Sequence, residues 1–158
     1  MAKRSSEFIQ RGVRLLGLSV DSVYSHLAWI DSIKNNFGVD VPFPIIADSD
    51  LKIARQYGMT SAESGSVTVR SVFFIDTDLT IRATLTYPAA IGRNIDELLR
   101  VFDAFQENTM SGGCAIPANW TRGQPTLSPA PVTVNSLSKR QQSAEDPNYK
   151  AWYYKING

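Results

Sequence analysis

"SVTVRSVFFIDTDLTIRATLTYP", residues 66–88, is the stretch on which the fold turns. Two runs, "SVTVRSVFFID" and "TIRATLTYP", are rich in Val, Ile, Phe and Thr, with Asp76, Thr77 and Asp78 between them. β-Branched and aromatic residues interrupted by a short polar turn predict an antiparallel hairpin. Immediately after it, "GRNIDELLRVFDAF" repeats Ile95, Leu98, Leu99, Phe102 and Phe105 at helical spacing. That stripe predicts an amphipathic helix with one buried face.

Upstream, helices and strands alternate. "AKRSSEFIQRG" reads as a short amphipathic helix stopped by Gly12. "VRLLGLSV" is a nearly continuous apolar run, as expected of a strand covered on both faces. In "DSVYSHLAWIDSIKNNFG", Asp21 or Ser22 can cap a helix, Val23, Leu27, Ile30 and Phe37 recur at helical spacing, and Gly38 ends it. "VPFPII" predicts a short strand whose prolines, Pro42 and Pro44, suit an edge. "SDLKIARQYG" predicts a further helix, capped by Ser49 or Asp50 and terminated by Gly58. Such alternation, closed by a hairpin and a last helix, predicts an α/β layered fold of thioredoxin-like kind over residues 1–108. From Thr109 the character changes: "SGGCAIPANWTRGQPTLSPAPVTV" has no period, and "AWYYKING" ends on clustered aromatics. Residues 109–158 read as an extended arm that wraps a body or a neighbouring subunit, because Trp152, Tyr153 and Tyr154 are of the type enriched at interfaces. The competing reading is a disordered tail.

Composition narrows the function. The 158 residues are 43% hydrophobic and 20% charged, with a formal net charge of +1. This describes an ordinary globular chain without the basic footprint of a nucleic-acid binder. No apolar run reaches the roughly 18 residues of a membrane span, and the start lacks a secretory signal. The single cysteine, Cys114, excludes an internal disulfide framework and a cysteine-based zinc site, so a reducing, cytoplasmic location is expected.

Few residues are placed to do chemistry. Cys114 lies in "MSGGCAIPAN", with its nearest cation in sequence at Arg122 and no activating group beside it. A thiol needs such a group to become a nucleophile, so Cys114 reads as an incidental loop residue. His26 is the only histidine. A hydrolase would require it to face a hydroxyl while a carboxylate orients it, and no "GxSxG" elbow accompanies it. A surface or hydrogen-bonded buried histidine is the simpler reading. No ligand spacing for a metal is present. Two arginines stand out. Arg70 interrupts an apolar strand, and Arg93 sits in "YPAAIGRN", where the hairpin gives way to the last helix. Each is either part of a site or ordinary, with Arg70 facing solvent and Arg93 paired with Asp96 or Glu97.

The phrases "VRLLGLSVDSVYSHLAWI", "VPFPIIADSDLKIARQYGM", "VTVRSVFFIDTDLTIRATLTYPAAIGRNIDELLRVFDAFQ" and "AIPANW" together resemble a one-cysteine peroxiredoxin of the alkyl hydroperoxide reductase and thiol-specific antioxidant group. The resemblance runs from about Ala2 to Trp120, and the arm ending in "AWYYK" fits more loosely. It implies a thioredoxin fold and thiol-dependent reduction of hydrogen peroxide and organic or lipid hydroperoxides. It further implies no cofactor, a thiol reductant as partner and a homodimer formed through the C-terminal arm. Arg70 matches the family's active-site arginine, and Arg93 a second arginine of the active-site surround.

In that family the attacking sulfur sits in a "PxxxTxxC" segment opening a long helix. These residues contain no such segment, "MAKRSSEFIQRG" resembles the later part of that helix, and Cys114 matches no peroxidatic position. The resemblance therefore implies a fold lacking its N-terminal strands and the start of the catalytic helix, inactive alone. A non-catalytic dimerising module of the same descent is the other reading, and a new redox role for Cys114 is a third. A strand is also expected to be missing between "RLLGLSV" and "VRSVFFID". Each backbone group buried unpaired there would cost on the order of 1–3 kcal/mol, against about 5–15 kcal/mol for a whole domain.

Overall fold

The computed structural model describes residues 1–60 and 69–157. The chain divides into two compact units, Met1–Ile95 and Asp96–Gly158. In the first, a 3-10 turn over Ala2–Arg4 leads into α1 (Ser5–Gln10), which buries Phe8 completely. Gly12 ends it in the left-handed region, at φ 69°, where a side chain would be strained. β1 (Gly17–Ser19) pairs in parallel with β2 (Ile45–Ala47), Leu18 opposite Ile46. The strand is thus much shorter than the apolar run that predicts it. It is half-buried rather than covered on both faces, and Leu16 beside it is 62% exposed. The physical reason is that, among the described residues, β1 has one strand neighbour. Among the described residues, the β1–β2 pair and the hairpin of residues 70–87 form separate two-stranded sheets.

Between β1 and β2 runs α2 (Val23–Phe37). Ser22 caps it by accepting from the Ser25 N–H, and Gly38 closes it at φ 62°. Its apolar stripe does not become core. Val23, Leu27 and Phe37 are exposed, Ile30 is half-buried, and His26 is the one buried residue of the helix. α3 (Lys52–Gln56) is capped from further upstream than Ser49 or Asp50. The buried Asp48 accepts from the Ile53 N–H at 3.0 Å and the Ala54 N–H at 2.7 Å, while Asp50 reaches only the Lys52 N–H at 3.3 Å. A buried carboxylate that satisfies two free helix donors outcompetes an exposed one that satisfies a single donor.

The predicted hairpin forms from β3 (Arg70–Ile75) and β4 (Ile81–Tyr87), paired antiparallel with Arg70 opposite Tyr87. Ser66, Val67 and Thr68 of the predicted first strand lie outside the described residues. The turn is built on Asp76, whose Oδ1 accepts from the N–H groups of Asp78 (3.0 Å) and Thr80 (2.9 Å). The Thr80 N–H, then Arg82 and Asp78, hold the Asp76 carboxyl below its ordinary range. Phe74 is buried, β4 alternates exposed and half-buried residues, and Tyr57 packs edge-on against Phe73 at 5.0 Å.

All of α4 (Ile95–Met110) but its first residue belongs to the second unit; Leu98 and Leu99 are buried while Ile95, Phe102 and Phe105 are half-buried. Asp103 is buried as well, and Arg122 bonds it at 2.8 Å. Beyond α4 the expected aperiodic arm is instead a folded segment. β5 (Thr126–Leu127), β6 (Tyr149–Ala151) and β7 (Tyr154–Asn157) form a sheet in the order β5-β7-β6. α5 (Val134–Gln142) is started by a reciprocal Thr133–Ser136 capping box. Short polar side chains bonding their own backbone, together with a fully buried Trp120 whose Nε1 donates to the Gln124 carbonyl at 2.8 Å, replace the missing hydrophobic period.

Two measurements test this arrangement. In native-state hydrogen exchange, Gly17 and Asp48, whose N–H groups bond Pro44 and Ser19, should be protected, whereas the Leu18 amide on the open edge should exchange without slowing. Asp48→Ala should lower stability in urea by about 1–2 kcal/mol, with Asp48→Asn intermediate.

Candidate functional site

The hairpin register decides where the two arginines meet. Arg70 opens β3 directly opposite Tyr87, the last residue of β4, so the chain leaving β4 passes beside its side chain. The turn after β4 is closed by the Ile91 N–H donating to the Pro88 carbonyl at 2.9 Å. Nη1 of the half-buried Arg70 donates to the Ile91 carbonyl at 2.8 Å. Arg93 lies two residues further along this turn. Partial burial of its guanidinium, followed by the positive charge of Arg70, lowers its pKa from the ordinary value, with Tyr87 opposing. Two like charges are therefore held within electrostatic reach of each other. Glu97, one of the acids available to Arg93 in the sequence, forks onto Arg100 at 2.6 and 2.8 Å. A pair of guanidiniums so placed offers several N–H donors and a positive field to an anion or to an oxygen gaining charge.

His26 does face a hydroxyl, that of Ser19. Its Nε2 lies 2.6 Å from Ser19 Oγ, and Oγ donates to Asp21 Oδ2 at 2.7 Å. With its proton given to Asp21, the hydroxyl accepts from Nε2–H, so the imidazole is no base toward it. The carboxylate orients the serine and not the histidine, which is the reverse of a hydrolytic triad. The buried His26 thus ties the end of β1 to the first turn of α2.

Cys114 is buried, 3% exposed, in the second unit. Its N–H donates to Ser111 Oγ at 3.1 Å, its carbonyl accepts from Asn108 Nδ2 at 2.6 Å, and Sγ lies 4.0 Å from the Glu107 carbonyl. No cation is among these partners. Among the described residues no group of three or more His, Cys, Asp or Glu could hold a metal ion. Nor is any helix long and apolar enough to cross a membrane. Three features escape sequence reasoning: the Ile91 carbonyl, a backbone atom; Ser19, whose role depends on where α2 packs; and the buried Asp103.

Residues 1–84 match the AhpC/TSA family, and residues 104–144 match the C-terminal domain of 1-Cys peroxiredoxin. Among known proteins, a peroxiredoxin 2 of Thermoplasma acidophilum is 50% identical over 98% of this chain and 75% of its own length. A peroxiredoxin of Thermoplasma volcanium is 48% identical over 98% of this chain and 73% of its own. Among solved structures, yeast mitochondrial 1-Cys peroxiredoxin superimposes with TM-score 0.80 at 36% identity, over 99% of this chain and 75% of that one. A variant of peroxiredoxin 6 from Arenicola marina does so with TM-score 0.77 at 30% identity, over 99% and 76%. Related through nearly its whole length to proteins of one kind, and sharing their mixed α/β thioredoxin-like fold, the chain belongs to the peroxiredoxin family.

Proposed function

We propose that these residues carry the arginine half of a thiol-peroxidase site acting on hydrogen peroxide and organic or lipid hydroperoxides, with Arg70 and Arg93 as its active-site arginines. The observation that carries this reading is the Arg70–Ile91 bond of 2.8 Å, which ties the β3 guanidinium to the turn bearing Arg93. In such a reaction a thiolate attacks one peroxide oxygen, the O–O bond breaks, and the sulfur becomes a sulfenic acid. The departing oxygen leaves as water or an alcohol once protonated. Guanidinium donors aimed at that oxygen oppose its growing negative charge as the bond lengthens, and they favour the thiolate over the thiol beforehand. A thiol reductant then returns the sulfenic acid to thiol. The yeast mitochondrial relative is described as using glutathione and thioredoxin systems for its thiol resolving step, which favours a reductant of that class here.

The nucleophile is the missing half. Cys114 is the one cysteine of the 158 residues, and it is buried without a cation among its partners. We therefore assign these residues alone no peroxidase turnover. A second reading, a non-catalytic module that homodimerises through its C-terminal segment, is favoured by the exposure of Trp152, Tyr153 and Tyr154 in an otherwise folded second unit. A single free thiol without a disulfide suits a reducing, intracellular setting.

Peroxide consumption with a small-thiol reductant should not exceed the uncatalysed rate for either the wild type or Cys114→Ser. Turnover by the wild type that the substitution abolishes would make Cys114 the nucleophile and end this reading. Calorimetric titration with sulfate, a simple oxyanion probe, addresses the arginines separately. Arg70→Ala should weaken binding by about tenfold or more, in line with losing a charge-assisted donor pair. Equal binding by wild type and variant would remove Arg70 from the site.

A further inference from the structure

The β6–β7 hairpin of the second unit ends in an unexpected pair of residues. Ala151 pairs with Tyr154, so Trp152 and Tyr153 alone form the tip. Tips of this length favour small or polar residues that tolerate left-handed backbone, and neither aromatic has a positive φ here. Turn chemistry therefore does not explain them, nor does burial, since Trp152 is 46% and Tyr153 58% exposed. What the tip does fix is an angle. The two rings stand at 81° to each other with centroids 5.4 Å apart, so they form the walls of a corner open to solvent.

An aromatic face carries partial negative charge, and two faces set at right angles converge it on the space between them. A cation is attracted to such a space. The neighbouring lysines do not supply one. Lys150 Nζ donates to the Pro147 carbonyl at 3.1 Å, and Lys155 Nζ pairs with Asp146 at 2.7 Å. Both bonds draw their ammonium groups toward the start of β6, away from the tip. Glu145 and Asp146 balance Lys150 and Lys155, so the charge of this segment does not turn a cation away.

Exposure decides which cation fits. A compact ion keeps its hydration shell at an open corner, because two rings do not repay the water it would lose. A quaternary ammonium spreads its charge over methyl groups that gain by leaving water, and these lie against ring faces. We propose that the Trp152–Tyr153 corner binds a trimethylammonium group of the choline kind, whether free or carried on a lipid headgroup. Neither Arg70 nor Arg93 takes part, so this site stands or falls apart from the peroxidase reading.

NMR titration of the full chain with choline chloride, at ionic strength held constant with sodium chloride, tests it. The Trp152 indole N–H signal, identified by its loss in Trp152→Phe, should shift saturably. Half-saturation should come on the order of 10 mM, with the Trp120 signal unmoved. The neutral carbon isostere, in which a tert-butyl group replaces the trimethylammonium, should bind at least about fivefold more weakly. Tyr153→Leu should weaken choline binding by about threefold or more and Tyr153→Phe should restore it, an unchanged Trp120 signal showing that the unit stays folded. Retention on phosphatidylcholine vesicles that choline competes away would assign the group to a headgroup. Choline binding without retention would assign a soluble ligand, and either result supports the corner. Equal binding of the neutral isostere, or undiminished binding by Tyr153→Leu, would overturn it. So would the lack of a saturable shift, as when a second copy of the chain covers the tip.

Discussion

The pairing of β3 with β4 is the constraint on which the rest of the first unit depends. It starts at Asp76, whose carboxylate gathers two backbone N–H groups, and runs to the Arg70–Tyr87 pair at the far end. Because that end is where the chain leaves β4, the residues after Tyr87 emerge beside the Arg70 side chain. One guanidinium hydrogen bond to the Ile91 carbonyl then holds the emerging turn. Thus a turn carboxylate at one end of the hairpin and a guanidinium at the other between them set the path that brings Arg93 close.

Placing two guanidiniums near each other opposes folding unless something negative is gained. In the first unit partial burial, and after it the positive charge of Arg70, lower the affinity of Arg93 for its proton. The arrangement is understandable as preorganisation: donors fixed before reaction need not be reoriented as charge develops. Ser19 and His26 illustrate the contrary case, in which nucleophilic and basic groups approach within 2.6 Å but carry their protons in an order suited to tying a strand to a helix. Proximity alone does not make chemistry; the direction of each hydrogen bond does.

Signals in the sequence are legible where the deciding interaction is itself local. The Asp76–Asp78 turn, the Ser22 cap and the Gly38 stop each involve residues within a few positions of one another. Burial is less legible, because it depends on neighbours. Val23, Leu27 and Phe37 have helical spacing, and "VRLLGLSV" has the look of a covered strand, yet what would cover them is a tertiary matter. The cap of α3 escapes a local reading for a related reason. Asp48 lies beyond the usual capping distance and works only because the backbone folds back through Leu51, at φ 60°. In the second unit, structure carried by capping hydroxyls and a buried tryptophan leaves no periodic trace. Of the candidate site, both arginines can be named from the sequence, whereas the carbonyl that unites them belongs to the backbone and has no letter.

Between Phe74 and Ile75 the hairpin register slips by one residue, since Phe74 faces Ala83 but Ile75 faces Ile81. Side chains in a strand change face at every step, so this irregularity determines which of β4's residues look inward. Adding or deleting one residue near Asp76 would invert that choice along the whole strand and deliver the 88–93 turn to the opposite side of the sheet. Changes by two, or by one with a compensating bulge, would not. The length of this turn is therefore constrained in parity more than in size, and its sequence can drift as long as the count stays odd or even as it is now.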